Sequence, residues 1–422
     1  MPWRELTTLL GDRDARAPEA RIVRSMGERG AMLPAEIAAA TGLARSTIST
    51  TLADLRKAGI VVERAQSSQA RGVGRPASLF ALNPKAGTCV GLHLGLRELR
   101  LLVADVAHTV LHKAEIGLSL DYAPEAAVRA ARQAIRDAYR RCRLPPRSLL
   151  GVGIAVAGPV APDGRVQRAS VVPTWAGVDI RQVFEPALAA PVFADNESNC
   201  GALAEMTWGA ATDLADFVYF KIDLGLGGAI VVQRRVVTGV AGAGGEFGHI
   251  SIDPHGGLCR CGNRGCLELT GSFRPVVERL SRRLRRAATI EDVVARAAAG
   301  DVACRNAISS IAEAAGRGLG IIGSILNPGV VILGGRGLAA GPLLLEPLAA
   351  AYERHTLLKR AQLREAHRVR IIPAHFDEDG SLMGAVALVL RRYGGLQEEG
   401  RKTNHGGTET QGQHRVRSVA RL

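Results

Sequence analysis

The stretch GAGGEFGHISIDPHGGLCRCGNRGCLE, residues 242–268, decides how the chain is interpreted. It places Cys259, Cys261 and Cys266 within eight residues on a glycine-rich loop, and His249 lies ten residues before the first of them. Three thiolates and one imidazole complete the tetrahedral shell that Zn²⁺ prefers, and this closed shell leaves no position for a catalytic water. We therefore expect a structural zinc site. The alternative is three free thiols in a reducing compartment.

A second glycine-rich stretch, IDLGLGGAI, occupies residues 222–230 between two apolar runs that are typical of strands. Glycines at such a place let the backbone approach a phosphate group or a sugar closely, although tight hairpins use the same residues. Glu246 and His249 lie in the glycine-rich part of the first stretch, and Glu268 follows the last cysteine closely. These three polar side chains favour a polar pocket over a bare turn.

The N-terminal part of the chain has the order of a winged helix-turn-helix. Apolar spacing predicts three short helices over residues 18–62, with a glycine-containing turn at 41–43. A strand at 60–62, the basic loop QSSQARGVGRPA and a second strand at 78–82 complete the pattern. The third helix and the basic loop predict DNA contacts by Arg45, Ser46, Thr47, Ser49, Thr50, Arg71 and Arg75. The alternative is a small helical interaction module that binds no nucleic acid.

From Thr88 onward, strand-like and helical segments alternate. Two successive sets of strands and helices predict an α/β protein with two similar lobes and a cleft between them. Helices are expected at 302–326 and 342–360, among others. The predicted organisation is an N-terminal arm (1–18), a winged helix-turn-helix domain (19–84), a first lobe (88–210) completed by a C-terminal helix (379–393), a second lobe with the zinc loop (211–378) and a disordered basic tail (397–422).

The composition excludes several classes of protein. The 422 residues are 47% apolar and 22% charged, which excludes wholesale disorder. No apolar run reaches the roughly 18 residues of a membrane span, and the start MPWRELTTLLGDRD has acidic residues where an export signal needs an apolar segment. We therefore expect a cytoplasmic protein with no membrane partner. The net charge of +14 is compatible with a polyanionic partner such as DNA.

These motifs resemble those of the ROK family (repressor, open reading frame, kinase), over residues from about 19 to 393. The glycine-rich segment from Ile222 to His249 and the cysteine loop through Glu268 carry the resemblance. The winged helix resembles that of the family's transcriptional regulators. The resemblance implies an actin-like bilobal fold of the sugar-kinase and ribonuclease-H-like type. It also implies a zinc ion on His249, Cys259, Cys261 and Cys266.

The resemblance further implies a sugar in the cleft, held by Asn196, Glu197, Glu246, His249 and Glu268. Carboxylates and an amide suit this ligand because sugar hydroxyls both donate and accept hydrogen bonds. Zinc on one nitrogen of His249 would fix the ring and leave the other nitrogen for a hydroxyl. Two simpler interpretations stay open. Asn196 is also a candidate cap of a helix at 197–209, and Glu268 a candidate acidic residue at a helix N-terminus.

Several positions depart from the pattern of the family's kinases. His93 stands where the resemblance places a magnesium-holding aspartate, and Leu96 and Leu224 replace residues of the two phosphate-binding turns. Glu197 replaces the catalytic aspartate, and its extra methylene displaces the carboxylate by about an ångström. Because Mg²⁺ prefers carboxylate ligands to imidazole, we expect that kinase activity is lost.

The leading hypothesis is a transcriptional regulator of carbohydrate metabolism genes, and specifically a repressor, that binds a double-stranded DNA operator and responds to a sugar or sugar derivative. A homodimer or homotetramer is expected, because paired recognition helices on two half-sites need two-fold symmetry. Two alternatives stay open. One is an active ATP-dependent sugar kinase joined to a DNA-binding domain. The other is a regulator controlled by a protein partner, which Val171 favours because it replaces an asparagine that the resemblance implies near the sugar.

Overall fold

The computed structural model describes residues 6, 8–10, 17–64, 78–167, 173–357 and 359–392. Arg71, Arg75, Val171, most of the predicted N-terminal arm and the whole predicted basic tail lie outside the described residues. Within the described ranges, no helix is long and apolar enough to cross a membrane.

The N-terminal part folds as three short helices followed by a two-stranded hairpin. The elements are α1 (Pro18–Arg29), α2 (Pro34–Thr41), α3 (Arg45–Lys57), β1 (Val61–Arg64) and β2 (Leu79–Leu82). Prolines open α1 and α2 at positions where a helix makes no use of the missing N–H. Gly42 ends α2 with a left-handed φ of 65°, which allows the sharp turn into α3. Ile37, Ile48 and Leu52 are buried in this small domain, as the winged helix-turn-helix pattern predicts.

The first lobe is built on a five-stranded mixed sheet of order β5-β4-β3-β6-β7. The strands are β3 (Thr88–Leu94), β4 (Glu98–Asp105), β5 (Val110–Gly117), β6 (Leu149–Val156) and β7 (Val192–Asn196). The helices are α4 (Pro124–Arg141), α5 (Ile180–Leu188) and α6 (Glu197–Trp208). The first three strands form an antiparallel meander, and β6 and β7 are added parallel to β3 through helical connections.

The second lobe repeats this plan with the strand order β10-β9-β8-β11-β12. The strands are β8 (Phe217–Ile222), β9 (Leu226–Val232), β10 (Arg235–Val236), β11 (Val330–Gly334) and β12 (Arg370–Pro373). The helices are α7 (Glu268–Gly271), α8 (Arg274–Leu284), α9 (Ile290–Ala298), α10 (Val302–Leu326) and α11 (Pro342–His355). Again three antiparallel strands are followed by two parallel ones. The α/β class and the bilobal architecture expected from the sequence are confirmed.

A final helix, α12 (Gly380–Arg392), returns from the second lobe to the first, where it packs on β3, β6 and α6. Its apolar residues belong to a core that also contains residues of α1 and α3. Ile22 and Met26 of α1 are fully buried in this core, as is Val389 of α12. The winged helix therefore shares a hydrophobic core with the first lobe.

The helix predicted over 342–360 is shorter than expected. It ends at His355, and Thr356 has an extended backbone. The ammonium group of Lys359 folds back and donates hydrogen bonds to the carbonyl oxygens of Glu353, Arg354 and Thr356, at 2.9, 2.9 and 2.7 Å. This single cation satisfies acceptors that the helix end leaves open, which apolar periodicity could not indicate. Neither the short β10 nor α7 was expected from the sequence.

Candidate functional site

A cleft with a volume of about 360 Å³ lies between the two lobes. It is lined by the turns that follow β3 and β8, by the start of α6, and by loops on both sides of the cysteine cluster. The residues that line the cleft form two groups, which differ in how their charged side chains are paired. The metal side of the cleft consists of Asn196, Glu246, His249 and Glu268. The turn side consists of His93, Glu197, Lys221, Asp223 and Arg336.

The cysteine loop brings four possible metal ligands together. Cys259, Cys261, Cys266 and His249 each offer one atom, and these four atoms all lie within 4.8 Å of one another. The Nδ1 atom of His249 is 3.6 Å from the Sγ atom of Cys259, and the Sγ atoms of Cys261 and Cys266 are also 3.6 Å apart. Ligand atoms on a tetrahedral zinc ion are about 3.5–3.8 Å apart when the bond lengths are normal. The cluster could therefore hold a metal ion.

The shape of this loop depends on glycine and on backbone hydrogen bonds. Gly265 has a φ of +62°, and a Cβ atom there would lie 1.5 Å from the carbonyl oxygen of Asp253, so only glycine fits. Beside the cluster, the N–H of Leu267 donates to the carbonyl oxygen of Ile250 at 2.8 Å. These constraints hold the loop in register, so the sequence spacing of the cysteines becomes a fixed spatial arrangement.

His249 faces the cysteines with one ring nitrogen and the cleft with the other. Its Nε2 atom lies 4.0 Å from a carboxylate oxygen of Glu246 and 4.0 Å from one of Glu268. A separation of 4.0 Å is too long for a direct hydrogen bond. A ligand hydroxyl between these three groups could both donate and accept.

Asn196 is the last residue of β7 and the cap of α6. Its side-chain oxygen accepts the backbone N–H groups of Ser198 and Asn199, at 2.7 and 3.3 Å. Its amide nitrogen donates to the carbonyl oxygen of Gly158 at 3.0 Å and to a carboxylate oxygen of Glu246 at 3.2 Å. Every hydrogen-bonding position of this amide is used within the protein. Asn196 therefore caps the helix, as the simpler interpretation has it, and also orients Glu246 in the cleft.

Glu246 is held in a place that disfavours its charge. Burial raises the pKa of its carboxyl group to about 7, and the negative charges of Glu197 and Glu268 act in the same direction. Near neutral pH this group is therefore present in both forms. It can donate a hydrogen bond to a ligand as well as accept one.

Glu268 is the first residue of the short helix α7, and its side chain lines the cleft and is only 8% exposed. Arg260, which lies between Cys259 and Cys261, donates to Glu268 at 2.6 Å. One carboxylate oxygen is thereby held by the cysteine loop, and the other faces His249.

On the turn side, Glu197 is enclosed by positive charge. One of its carboxylate oxygens lies 2.9 Å from Nε2 of His93 and 2.9 Å from Nζ of Lys221. Burial alone would raise the pKa of Glu197, but the positive charge of Lys221 and the hydrogen bond to His93 lower it far below its usual value. Glu197 is therefore held as an ionised partner of Lys221.

The second charged pair of the turn side is Arg336 and Asp223, and it lies at the turn after β8. The guanidinium group of Arg336 donates to Asp223 at 2.7 and 3.2 Å, and its backbone N–H donates to the same carboxylate at 3.1 Å. Asp223 also accepts the backbone N–H of Leu224 at 2.7 Å. Leu96 and Leu224 line the cleft where a phosphate turn would need hydroxyl groups. The turn side is thus a set of charges that satisfy one another.

The predicted DNA-contact residues of the third helix lie together on one face of α3. Arg45, Ser46, Ser49 and Thr50 are exposed, and Thr47 is half-buried. The apolar residues of the same helix face inward, with Ile48 and Leu52 at 1% and 3% exposure. The N-terminal end of α3 therefore presents short polar side chains and one arginine to the solvent.

The sequence interpretation missed Lys221, Asp223, Arg260 and Arg336. Lys221 and Asp223 had a readable signal, because residues two apart at a strand end share one face of the strand. Arg260 was marked only by its place between two candidate ligands. Arg336 had no signal, since its partner lies 113 residues away in the chain.

Comparison with known proteins agrees with this geometry. A ROK family model matches residues 89–392, and a MarR family model matches residues 16–72. The xylose repressor of Caldicellulosiruptor bescii is 26% identical over 363 residues, which cover 82% of this chain and 89% of that protein. The N-acetylglucosamine repressor of Escherichia coli O157:H7 is 25% identical over 388 residues, which cover 88% of this chain and 92% of that protein.

A solved structure extends the likeness to the whole fold. It is described as a ROK family transcriptional regulator homologous to the E. coli MLC protein, and it superposes with a TM-score of 0.70. The match covers 89% of this chain and 97% of that one, at 24% sequence identity. The actin-like fold with a winged helix in front, which the resemblance implied, is confirmed.

Proposed function

The chain belongs to the ROK family, and from that premise we propose that it is a sugar-responsive DNA-binding repressor that has lost kinase activity. One observation carries the proposal. The metal side of the cleft keeps hydrogen-bonding groups free for a ligand, whereas the turn side has its charges paired with one another. Repressors that match over most of their length, named for xylose and for N-acetylglucosamine, support the same function.

The DNA-binding role rests on α3 and the hairpin behind it. The N-terminus of a helix favours a phosphate group, and short hydroxyl side chains with one arginine suit phosphate and base-edge contacts in the major groove. Arg45, Ser46, Thr47, Ser49 and Thr50 are proposed to make these contacts, and Arg71 and Arg75 are proposed to do so from the basic loop. Two copies of the chain, as a dimer or within a tetramer, would place two such helices on an operator with two-fold symmetry. This role also places the protein in the cytoplasm.

The proposed effector is a neutral sugar of pentose or hexose size, with its hydroxyls between Glu246, His249 and Glu268. The Nε2 atom of His249 lies 4.0 Å from a carboxylate oxygen of each glutamate, so a hydroxyl between the ring and either carboxylate would be within hydrogen-bonding distance of both groups. Asn196 would act through Glu246, because its own amide is already saturated. Glu197 would contribute the carboxylate oxygen that neither His93 nor Lys221 occupies.

We propose Zn²⁺ as the metal, since three thiolates and an imidazole in a closed shell favour zinc over harder cations. Its ligands would be His249, Cys259, Cys261 and Cys266. Bound there, the ion would supply a structural crosslink and no open coordination position. The chain's own part is to hold the His249 ring with Nε2 toward the cleft and to position Glu268 through Arg260.

The function is tested by binding to DNA. A duplex selected by the protein from a random library would be titrated with and without D-xylose, D-glucose and N-acetylglucosamine. We expect salt-sensitive specific binding that at least one sugar weakens by roughly 5- to 150-fold, the usual range of coupling between two sites. Binding that no salt or sugar alters would contradict the proposal.

Two variants on α3 show whether the predicted face reads the DNA. Arg45→Ala removes the cation at the N-terminal end and should weaken specific binding by at least roughly 10-fold. Arg56→Ala is the matched control, because Arg56 is an exposed arginine at the other end of the same helix, paired with Glu63 at 2.8 Å. It should change binding by less than about 3-fold. Equal effects of the two variants would remove α3 as the reading element.

The kinase alternative is decided by a coupled assay of ADP release with ATP, magnesium and the same sugars. We expect no sustained turnover, because Glu197 is tied to Lys221 and His93 and Asp223 is tied to Arg336. Turnover that Glu197→Gln abolishes would replace the repressor proposal with an active sugar kinase.

A further inference from the structure

One helix connects the cleft with the winged helix. α6 begins at Glu197 on the turn side and ends at Trp208, and its 12 residues span about 18 Å. Every residue from 198 to 207 is buried. A helix packed on all sides shifts as a unit rather than bending locally, so a displacement at its first residue reaches its last.

At its far end, α6 meets the first helix of the winged domain. A Cβ atom on Gly30, the residue that ends α1, would lie 3.5 Å from Cδ1 of Trp208 and 3.9 Å from Cε1 of His108. The rings of His108 and Trp208 contact each other, with centroids 3.9 Å apart. We call Gly30, His108 and Trp208 the junction.

The junction is built from groups that do not favour stability. His108 has a left-handed φ of 74°, which is uncommon for a residue other than glycine, although histidine adopts it more often than most residues do. The Nε2 atom of His108 and the Nε1 atom of Trp208 are buried without a hydrogen-bond partner among the described residues. Burial, with the charge of Arg64 in β1, lowers the pKa of His108 to about 3, so the ring is neutral. Such features persist where a contact is made and released rather than kept permanently.

The other attachment of the winged domain is of a different kind. Gly27 of α1 faces Leu390 of α12, and a Cβ atom there would lie 3.6 Å from Cβ of the leucine. Leu390 belongs to the apolar core that the two domains share, and it is 2% exposed. This contact leaves no polar atom unsatisfied. It is suited to be the pivot about which α1 moves when the junction opens.

α6 is also tied to the connection between the two lobes. The carboxylate of Glu205, which is fully buried, accepts the backbone N–H groups of His375 and Phe376 at 3.0 and 2.9 Å. These residues lie between β12 of the second lobe and α12 of the first. A change in the angle between the lobes therefore acts on α6 in its last turn, close to Trp208, as well as at its cleft end.

We infer that α6 transmits the state of the cleft to the DNA-binding domain, with His108 and Trp208 as the positioning residues that hold or release α1. This inference rests on the proposed function, because it needs a ligand in the cleft and operator DNA on α3. A ligand that closes the lobes shifts α6 and changes the junction. By linkage, the sugar changes DNA affinity by the same factor by which DNA changes sugar affinity, and this factor cannot exceed the ratio of the sugar affinities of the two junction states.

The test measures coupling rather than binding alone. His108→Asn keeps a residue that tolerates a positive φ and removes the ring contact, and Trp208→Phe shortens the other ring. For each variant we would measure the operator dissociation constant with and without the sugar that acts on the wild-type protein in the panel above. The sugar dissociation constant without DNA would also be measured. We expect the sugar-induced change in operator affinity to fall at least about five-fold, with sugar affinity changed less than about two-fold.

His112→Asn and Trp175→Phe are the matched controls. His112 is a half-buried histidine of β5 that is not one of the three junction residues, and Trp175 is a buried tryptophan that stacks on Phe184 with ring centroids 6.1 Å apart. Both controls should keep the wild-type response. If the junction has only a structural role, the variants and the controls will both be less stable than the wild type. The sugar-induced change in operator affinity will then stay at its wild-type value.

A second readout comes from the opposite direction. Because coupling is reciprocal, operator DNA should slow amide hydrogen exchange at residues 196–199 in the wild-type protein, but not in His108→Asn. If Trp208→Phe proves too unstable to assay, His108→Asn decides alone. A full sugar response in His108→Asn overturns the inference and leaves the repressor intact. A wild-type protein whose sugar and operator binding are independent overturns the proposed function and the inference with it.

Discussion

Both sides of the cleft carry buried carboxylates, but they differ in whether those carboxylates leave an oxygen directed at the cleft or are paired with cations. On the metal side, the carboxylates of Glu246 and Glu268 stop 4.0 Å short of His249, so their hydrogen-bonding capacity faces the cleft. On the turn side, Glu197 and Asp223 contact Lys221 and Arg336 at 2.9 and 2.7 Å. A carboxylate oxygen that already accepts from a cation is not available to a ligand, and Glu197 keeps one oxygen that neither His93 nor Lys221 contacts. In the proposed repressor, this contrast leaves most contacts with the effector to the metal side.

The largest effect expected from this contrast follows removal of the metal cluster. Cys266→Ser should abolish metal retention and weaken sugar binding by at least roughly 100-fold, because the metal fixes the ring of His249 and the loop that holds Glu268. Elemental analysis and calorimetry with the sugar panel are the measurements. Cys142→Ser changes a half-buried cysteine outside the cluster and should do neither. Normal sugar affinity in a metal-free protein would remove the distinction between the two sides.

The next effect belongs to the turn side and concerns stability. Lys221→Met leaves the carboxylate of Glu197 without its main partner, and the free energy of unfolding should fall by about 3–5 kcal/mol. The double variant Glu197→Gln/Lys221→Met removes both charges and should recover at least half of this loss. Denaturant titration of the two single variants and the double variant completes the cycle. Additive effects would mean that the pair does not stabilise the fold as a unit.

A smaller effect is expected from a single carboxylate of the metal side. Glu268→Gln should weaken sugar binding by about 1.5–3 kcal/mol, because a hydrogen bond to a charged acceptor is lost. Glu115→Gln is the control, since Glu115 is an exposed residue at the rim of the same cleft. Calorimetry of sugar binding to Glu268→Gln and to Glu115→Gln is the measurement that checks this. If Glu115→Gln were the more damaging change, the sugar would lie on the turn side.

The smallest effect is a dependence on pH that comes from Glu197. Its folded-state pKa lies below its unfolded value of about 4.3. Its contribution to stability is therefore complete above that pH and is lost as the pH falls toward the folded pKa. Each pH unit in this window should cost about 1.4 kcal/mol. Thermal unfolding of wild-type protein and Glu197→Gln between pH 6 and 3.5 should show a steeper decline for the wild type. Parallel curves would indicate that Glu197 is not stabilised as an ion.

Part of this organisation follows from local sequence. Apolar periodicity placed the helix at 302–326 and most of the strands, since burial on one face requires a regular spacing. The spacing of Cys259, Cys261 and Cys266 beside glycines made the cysteine cluster readable from the sequence, because these three residues lie on one short loop. The end of α11 was misplaced, because a lysine four residues beyond His355 satisfies the helix carbonyl groups.

The two domain types, the cysteine cluster and the residues that depart from a kinase could be read from the sequence, since each of these depends on residues close together in the chain. Which charges are paired became visible only in the folded molecule. Lys221 meets Glu197 across the cleft, and Arg336 meets Asp223 from 113 residues away. The same holds for Trp208 and His108, which come together at the end of α1. Long-range pairs of this kind depend on how two lobes and a small domain pack, and no local pattern encodes them.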